Sequence, residues 1–234
     1  MHDKKGPMKS SKILFALTAF AMAASSFAAT QSTPATANNS SVLLSEDFDN
    51  ISQLNGWVLT NASDVAGQSW FQGNTGVFAA HAGAANSYIA ADFSSTRNPV
   101  GTVDNWLISP VLTLNSASNL SFYTRTADAG FNDKLEVRFS SGSGTSLSTF
   151  STVLTTVGGD GSYPDSGFQK FVANLPVGGT GRFAFRYTGN AMDTDYIGID
   201  TVRVAAVPEP ETYAMMGLGL AALALVRRKA RKAA

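Results

Sequence analysis

The sequence predicts an all-β domain, a jelly-roll-type β-sandwich of two antiparallel sheets. Three observations predict it. Apolar and polar residues alternate with period two in several segments, the signature of strands with one solvated face. Turn residues interrupt the chain at intervals of roughly 8–15 residues, the spacing of short strands in a sandwich. No segment of residues 41–206 keeps a helical period over ten residues. An immunoglobulin-like sandwich is the alternative, disfavoured because a chain of about 165 residues is long for it.

The elements follow in order. Strands are expected at Val42–Asp47, Gly56–Leu59, Gln68–Gln72, Ser87–Ala91 and Asn105–Ile108. Leu120, Phe122 and Thr124 alternate with Ser121, Tyr123 and Arg125. In Lys134-Leu135-Glu136-Val137-Arg138-Phe139-Ser140 the apolar residues face one way and the charges the other. Further strands are expected at Phe150–Thr156, Gln169–Leu175, Arg182–Tyr187 and Tyr196–Val204. Gly130, Ser141-Gly142-Ser143-Gly144, Gly158-Gly159-Asp160-Gly161, Pro176 and Gly178-Gly179 supply the turns. Asp104-Asn105 reads as the cap at the entry to the Trp106 strand.

The two ends read as targeting segments. Lys4, Lys5, Lys9 and Lys12 precede an apolar core, Ile13 to Ala24, and the small residues Ser26 and Ala28 flank Phe27. Residues 1–28 are therefore expected to be a signal peptide, with Met8 as a second candidate start, and the Thr/Ser/Asn/Ala-rich residues 29–41 a disordered leader. The implied partners are the Sec translocon and signal peptidase. The chain contains no cysteine, which excludes disulfides, thiol catalysis and thiolate metal sites. Between residues 41 and 206 there are eight basic and fourteen acidic groups, a balance of −6. An acidic domain argues against nucleic acid as a partner.

At the C-terminus, Pro208-Glu209-Pro210-Glu211 leads into an apolar stretch, Tyr213 to Val226, and then into Arg227, Arg228, Lys229, Arg231 and Lys232. Each proline disfavours helix in the residue before it, so the entry is expected to be extended. A transmembrane helix is expected over about 213–226. It is short, because a bilayer core needs roughly 20 apolar residues. Its five Leu and Val residues contribute only about −2 kcal/mol on an insertion scale. Each cation costs roughly 2.5–3.5 kcal/mol at the bilayer centre, so the basic tail stays in the cytoplasm and the preceding domain lies outside. Residues Val207 to Lys232 resemble the PEP-CTERM sorting segment of Gram-negative bacteria. The resemblance implies capture by exosortase, a membrane-embedded cysteine peptidase, and cleavage near Pro208, Glu209 and Pro210 after transient residence in the inner membrane.

The domain itself resembles the choice-of-anchor J group, related to cleaved-adhesin and MAM-like jelly rolls. Its marks are Ser45-Glu46-Asp47-Phe48-Asp49, Gly56-Trp57, Trp70, Asp104-Asn105-Trp106-Leu107-Ile108-Ser109-Pro110 and Tyr196-Ile197-Gly198-Ile199-Asp200-Thr201-Val202. The resemblance implies that first and last strands are neighbours. Glu46, Asp47 and Asp200, with Asp49 next, would then be candidate ligands of a structural calcium, which wants six to eight oxygens. Thr201 stands where the family pattern often has a second acid, which weakens a two-carboxylate site. The competing reading makes these acids turn caps. Asp193-Thr194-Asp195 is a second acidic pair without the rest of a calcium loop.

Catalytic motifs are missing. His81 is the domain's one histidine, in a Gly/Ala/Asn-rich loop, and neither a Gly-x-Ser-x-Gly elbow nor a His-Glu-x-x-His motif occurs. No catalytic residue and no required cofactor are expected. The aromatics Trp57, Trp70, Trp106, Phe71, Phe78, Tyr123, Tyr163 and Tyr196 either fill a core or form a sugar-stacking platform. Trp57 and Trp106 read as core; Trp70 and Tyr163 read as the exposed ligand-binding candidates. The expectation is an exported, non-enzymatic adhesion or binding protein, held briefly in the inner membrane facing the periplasm and finally at the cell surface or outside. Exopolysaccharide is the leading partner by family association. A ligand-free matrix or biofilm component is the alternative, and a glycan hydrolase a more distant one.

Overall fold

The alternating segments do become strands. The computed structural model describes residues 41–208 and 210–232, so the expected signal peptide, the expected leader up to residue 40, and Glu209 lie outside the described residues. The strands are β1 (Val42–Glu46), β2 (Val58–Asn61), β3 (Phe71–Gln72), β4 (Ile89–Asp92), β5 (Thr102–Ile108) and β6 (Leu112–Thr113). They continue with β7 (Ser118–Thr126), β8 (Lys134–Ser141), β9 (Thr152–Gly158), β10 (Gln169–Leu175), β11 (Thr180–Asn190) and β12 (Tyr196–Ala206). One α-helix follows, α1 (Pro210–Lys232).

Two antiparallel sheets form, as the alternation predicts. One runs β10-β7-β12-β4-β3 with β1 also on β12; the other runs β2-β5-β11-β8-β9 with β6 also on β11. β12 organises the first sheet. Along one edge it pairs with β7; along the other its first half pairs with β4 (Tyr196 opposite Asp92) and its second half with β1 (Val202 opposite Glu46). Between those halves the register shifts at Asp200–Arg203, and Thr201 sits at φ +52°. This bulge has a packing purpose. Ile197 and Ile199 face the core at odd positions, and Val202 and Val204 face it at even ones, all fully buried. A strand without the extra residue would turn the second pair to solvent.

The core between the sheets is aromatic. Phe48 meets Trp57 at 5.6 Å between ring centres, Trp57 meets Phe183 at 5.8 Å, Phe183 meets Phe185 at 5.5 Å and Phe185 meets Phe122 at 4.9 Å. Such pairs add about 0.5–1.5 kcal/mol each beyond their burial.

The outer faces carry their own packing. On the first sheet, residues 73–88 fold over β12, placing Phe78 and Tyr88 on Tyr196. Gly198 allows this approach, since a Cβ there would lie 2.8 Å from the Phe78 ring and 2.9 Å from Tyr88. On the second sheet, Trp106 is buried under Phe150 rather than between the sheets. The Arg186 guanidinium lies 5.0 Å from the Trp106 ring centre. It bonds Asp104 at 2.6 Å and Glu136 at 3.2 Å, while Lys134 and Arg138 also reach Glu136. Burial alone would raise the Glu136 pKa; the hydrogen bonds and charges of Lys134 and Arg138 outweigh it and hold the carboxyl at about 2. Asp104 thus lies within β5 as the ion-pair partner of Arg186, and the expected entry cap is corrected.

The helix α1 is 23 residues long and carries the expected apolar stretch and the cations Arg227, Arg228, Lys229, Arg231 and Lys232. It begins at Pro210, where an extended entry was expected. Proline suits the first helical position because its fixed φ is helical and its missing N–H would be unpaired there anyway. No helix among the described residues is long and apolar enough to cross a membrane by hydropathy.

Candidate functional site

A cleft of about 530 Å3 opens where β12 begins and β4 ends. That volume lies within the usual range of small-molecule sites. Phe71 of β3, Phe93 and Tyr196 of β12 supply aromatic surface, and Gln68, Asn74, Asp92 and Asp195 supply polar groups. Phe93 is 52% exposed, so its ring is open to a ligand entering the cleft.

Local hydrogen bonds fix each wall. The Asp92 side chain caps the 3-10 turn Phe93–Ser95 by accepting from the Ser94 N–H at 2.9 Å. The Phe93 N–H donates to the Asp195 carbonyl at 3.0 Å, tying that turn to the start of β12. Phe71 meets the Tyr196 ring edge-on at 5.7 Å. The Tyr196 hydroxyl accepts from the Asn74 N–H at 3.1 Å and lies 3.1 Å from the Tyr88 hydroxyl. The loop, the edge strand and the last strand are therefore one connected frame.

A buried carboxylate stands behind the cleft. Asp133 is fully buried and accepts from the Tyr187 hydroxyl at 2.5 Å, the Thr126 hydroxyl at 2.5 Å and the Asp195 N–H at 2.9 Å. Burial pushes its pKa up, against the pull of those three donors. Its bond to the Asp195 N–H fixes that residue at the cleft wall. Burial also raises the Asp195 pKa, reinforced by repulsion from Asp133, Asp128 and Asp92. The side chains of Gln68 and Asp195 make no hydrogen bond to the described residues, nor does the Asn74 amide nitrogen; all three are free to meet a ligand.

The structure relocates the sequence-derived candidates. Trp70 and Tyr163 are each only 3% exposed, so the expectation of exposed ligand-binding rings is corrected. Both belong to the inter-sheet core, and the Tyr163 hydroxyl spends its polarity on Thr124 Oγ1 at 2.6 Å. The cause is the loops, which close over residues that their polar neighbours had suggested were outside. First and last strands do pair, as implied, but the three acids serve separate tasks. Glu46 Oε1 accepts from the Phe48 N–H at 2.9 Å. Asp47 makes a two-pronged pair with Arg203 at 2.7 and 2.8 Å. Asp200 accepts from the backbone N–H groups of His81, Ala82 and Thr201. Among the described residues no three metal-ligating side chains converge. These acids thus brace a turn, a strand pair and a crossing loop. His81 stacks on Tyr123 at 3.6 Å and its Nδ1 lies 3.1 Å from Thr201 Oγ1. Of the acidic pair, Asp193 is exposed in a turn and Asp195 lines the cleft. The cleft residues Gln68, Asn74, Asp92 and Phe93 escaped sequence reasoning. Only the exposed-looking Phe93, abutting a predicted strand end, could have signalled them.

Comparison with known proteins agrees with this architecture. The Cleaved Adhesin Domain family model matches residues 41–204, and the PEP-CTERM protein-sorting motif matches residues 206–229. The K3 cleaved adhesin domain of Lys-gingipain from Porphyromonas gingivalis is similar at 26% identity and a TM-score of 0.56, covering 71% of this chain and 98% of that one. The K1 domain of the same protein is similar at 28% identity and 0.55, covering 70% and 98%. No match was found among curated proteins. The sorting motif indicates an exported protein that is processed at a membrane.

Proposed function

This chain belongs to the Cleaved Adhesin Domain family, and from that premise we propose that it is an exported, non-catalytic surface protein that binds glycan through the cleft beside Tyr196. One observation carries the assignment: a half-exposed aromatic ring, Phe93, shares a cleft with Phe71, Tyr196, the Gln68 amide, the Asn74 amide nitrogen and the Asp195 carboxylate, which have no hydrogen-bond partner among the described residues. Apolar ring faces for stacking, with a few polar groups fixing orientation, are what a sugar ring requires. Of the two carboxylates in the cleft, Asp92 is engaged in capping the Phe93–Ser95 turn, which favours binding over two-carboxylate turnover. An exopolysaccharide displayed by the producing cell is the proposed ligand. Export through Sec, signal-peptide removal and exosortase processing then deliver the domain to the cell surface or beyond it.

Two measurements test this. Affinity electrophoresis of the full chain in detergent, against exopolysaccharide from the producing bacterium, should show retardation. Phe93→Ala should lose about two- to tenfold in affinity, consistent with about 0.5–1.5 kcal/mol for an aromatic contact, with its melting temperature nearly unchanged. Retention of full affinity by that variant would refute the assignment to this cleft. For delivery, intact mass of the protein from producing cells should show the chain shortened at both ends, near Ala28 and near Pro208–Pro210. An untrimmed mass in the cytosolic fraction would overturn the export route.

A further inference from the structure

We infer that the cleft selects a sugar bearing a free ammonium group, a glucosamine-type unit, over N-acetylated and acidic sugars. This rests on the glycan assignment for the same cleft and goes beyond it by naming the chemical class. The cleft wall carries two carboxylates, Asp92 and Asp195, and no basic side chain. Asp92 commits one oxygen to capping the Phe93–Ser95 turn, while the Asp195 carboxylate accepts no hydrogen bond from the described residues. Asp128 and Asp133 stand near enough to Asp195 to repel its charge. An unpaired carboxylate so placed is best met by a cation.

An ammonium group fits on three counts. It offers three donors and no acceptor, matching the carboxylates of Asp92 and Asp195. Its bond to a carboxylate is charge-assisted, roughly twice as strong as a neutral one. Its positive charge is also attracted to the faces of aromatic rings such as Phe71, Phe93 and Tyr196. A uronate would meet the Asp195 charge with its own, and an acetamide would present neither the charge nor the three donors. A lysine side chain shares the ammonium but not the hydroxyls around it. The Gln68 amide and the Asn74 amide nitrogen suit those hydroxyls, which favours the sugar.

Isothermal titration of the full chain in detergent tests this, using glucosamine hexamer, N-acetylglucosamine hexamer, an oligogalacturonate and hexalysine as probes. The glucosamine hexamer should bind at least tenfold more tightly than its acetylated counterpart, and the oligogalacturonate should bind most weakly. Asp195→Asn should bring the ratio of glucosamine to N-acetylglucosamine affinities towards one. Asp165→Asn, an exposed carboxylate that does not line the cleft, should leave that ratio as it is. Acetylated oligomer binding as well as or better than glucosamine, with sensitivity to Phe93→Ala, would overturn the ammonium preference while leaving the glycan assignment standing. Binding of no saccharide would remove both. Hexalysine binding as tightly as glucosamine would overturn the proposal in favour of a peptide ligand, and an unchanged ratio in Asp195→Asn would overturn it as well.

Discussion

Asp133→Ala will destabilise the fold by about 2–6 kcal/mol, since each buried donor left without an acceptor costs about 1–3 kcal/mol. The loss strands the Tyr187 hydroxyl and the Asp195 N–H in the interior, while the Thr126 hydroxyl can turn to the Tyr196 carbonyl. A domain of this size loses about 2–4 °C per kcal/mol, so thermal unfolding should fall by roughly 10 °C. Asp133→Asn should behave quite differently. Its amide oxygen can keep accepting from Tyr187 and Asp195, and its amide nitrogen can donate to Thr126 Oγ1, whose hydrogen then turns to the Tyr196 carbonyl 3.2 Å away. The asparagine variant should therefore stay close to the parent in stability. The two also differ in pH dependence. Burial raises the folded-state pKa of Asp133 above its unfolded value. Its protonated form is thus favoured on folding: that contribution is complete below the unfolded pKa, near 3.9, and is lost as pH rises through the folded pKa. Melts of the parent minus melts of Asp133→Asn should therefore fall as pH rises from about 4. A difference that instead grows with pH would show the ionised form to be the stabilised one.

Phe48→Ala should cost a similar amount, about 3–5 kcal/mol, from the contacts and cavity of a fully buried ring. Phe48 also sits at φ +52°, a conformation that a bulky residue rarely adopts. The strain is held from three sides. Glu46 accepts its N–H, Gln72 donates to its carbonyl at 2.8 Å, and its ring is packed on Trp57. Alanine keeps the unfavourable backbone and loses the ring that compensates for it. Phe48→Gly loses the ring but relieves the backbone, and so should unfold at a higher temperature than Phe48→Ala by differential scanning calorimetry. The reverse order would mean that the positive φ is not costly here.

Strand positions were legible because each has one wet face. β10 was predicted with its observed bounds, Gln169–Leu175, and β7, β8 and β11 were centred correctly by their alternation. The two-residue β6 was missed, since Leu112–Thr113 is too short to show a period. Alternation also identified the wrong partner in one case. Trp106 reads as core, and it is buried, but beneath Phe150 on an outer face. A period of two cannot distinguish a face covered by the opposite sheet from one covered by a loop. The same blindness explains Trp70 and Tyr163, whose burial depends on segments remote in sequence. The cleft was illegible for a related reason: Phe71, Asn74, Asp92, Phe93 and Asp195 converge only because β3, β4 and β12 are hydrogen-bonded neighbours. The sorting segment was readable throughout because it is contiguous.

β12 enters beside the cleft at Tyr196 and delivers the chain to the sorting segment after Ala206. Eleven residues of extended backbone at about 3.3 Å each separate those points by roughly 33 Å. Whatever occupies the cleft is thereby held at a fixed standoff from the point of attachment. On the proposed reading, the sorting segment can be cut or embedded without the cleft being disturbed, because β12 spaces the two apart.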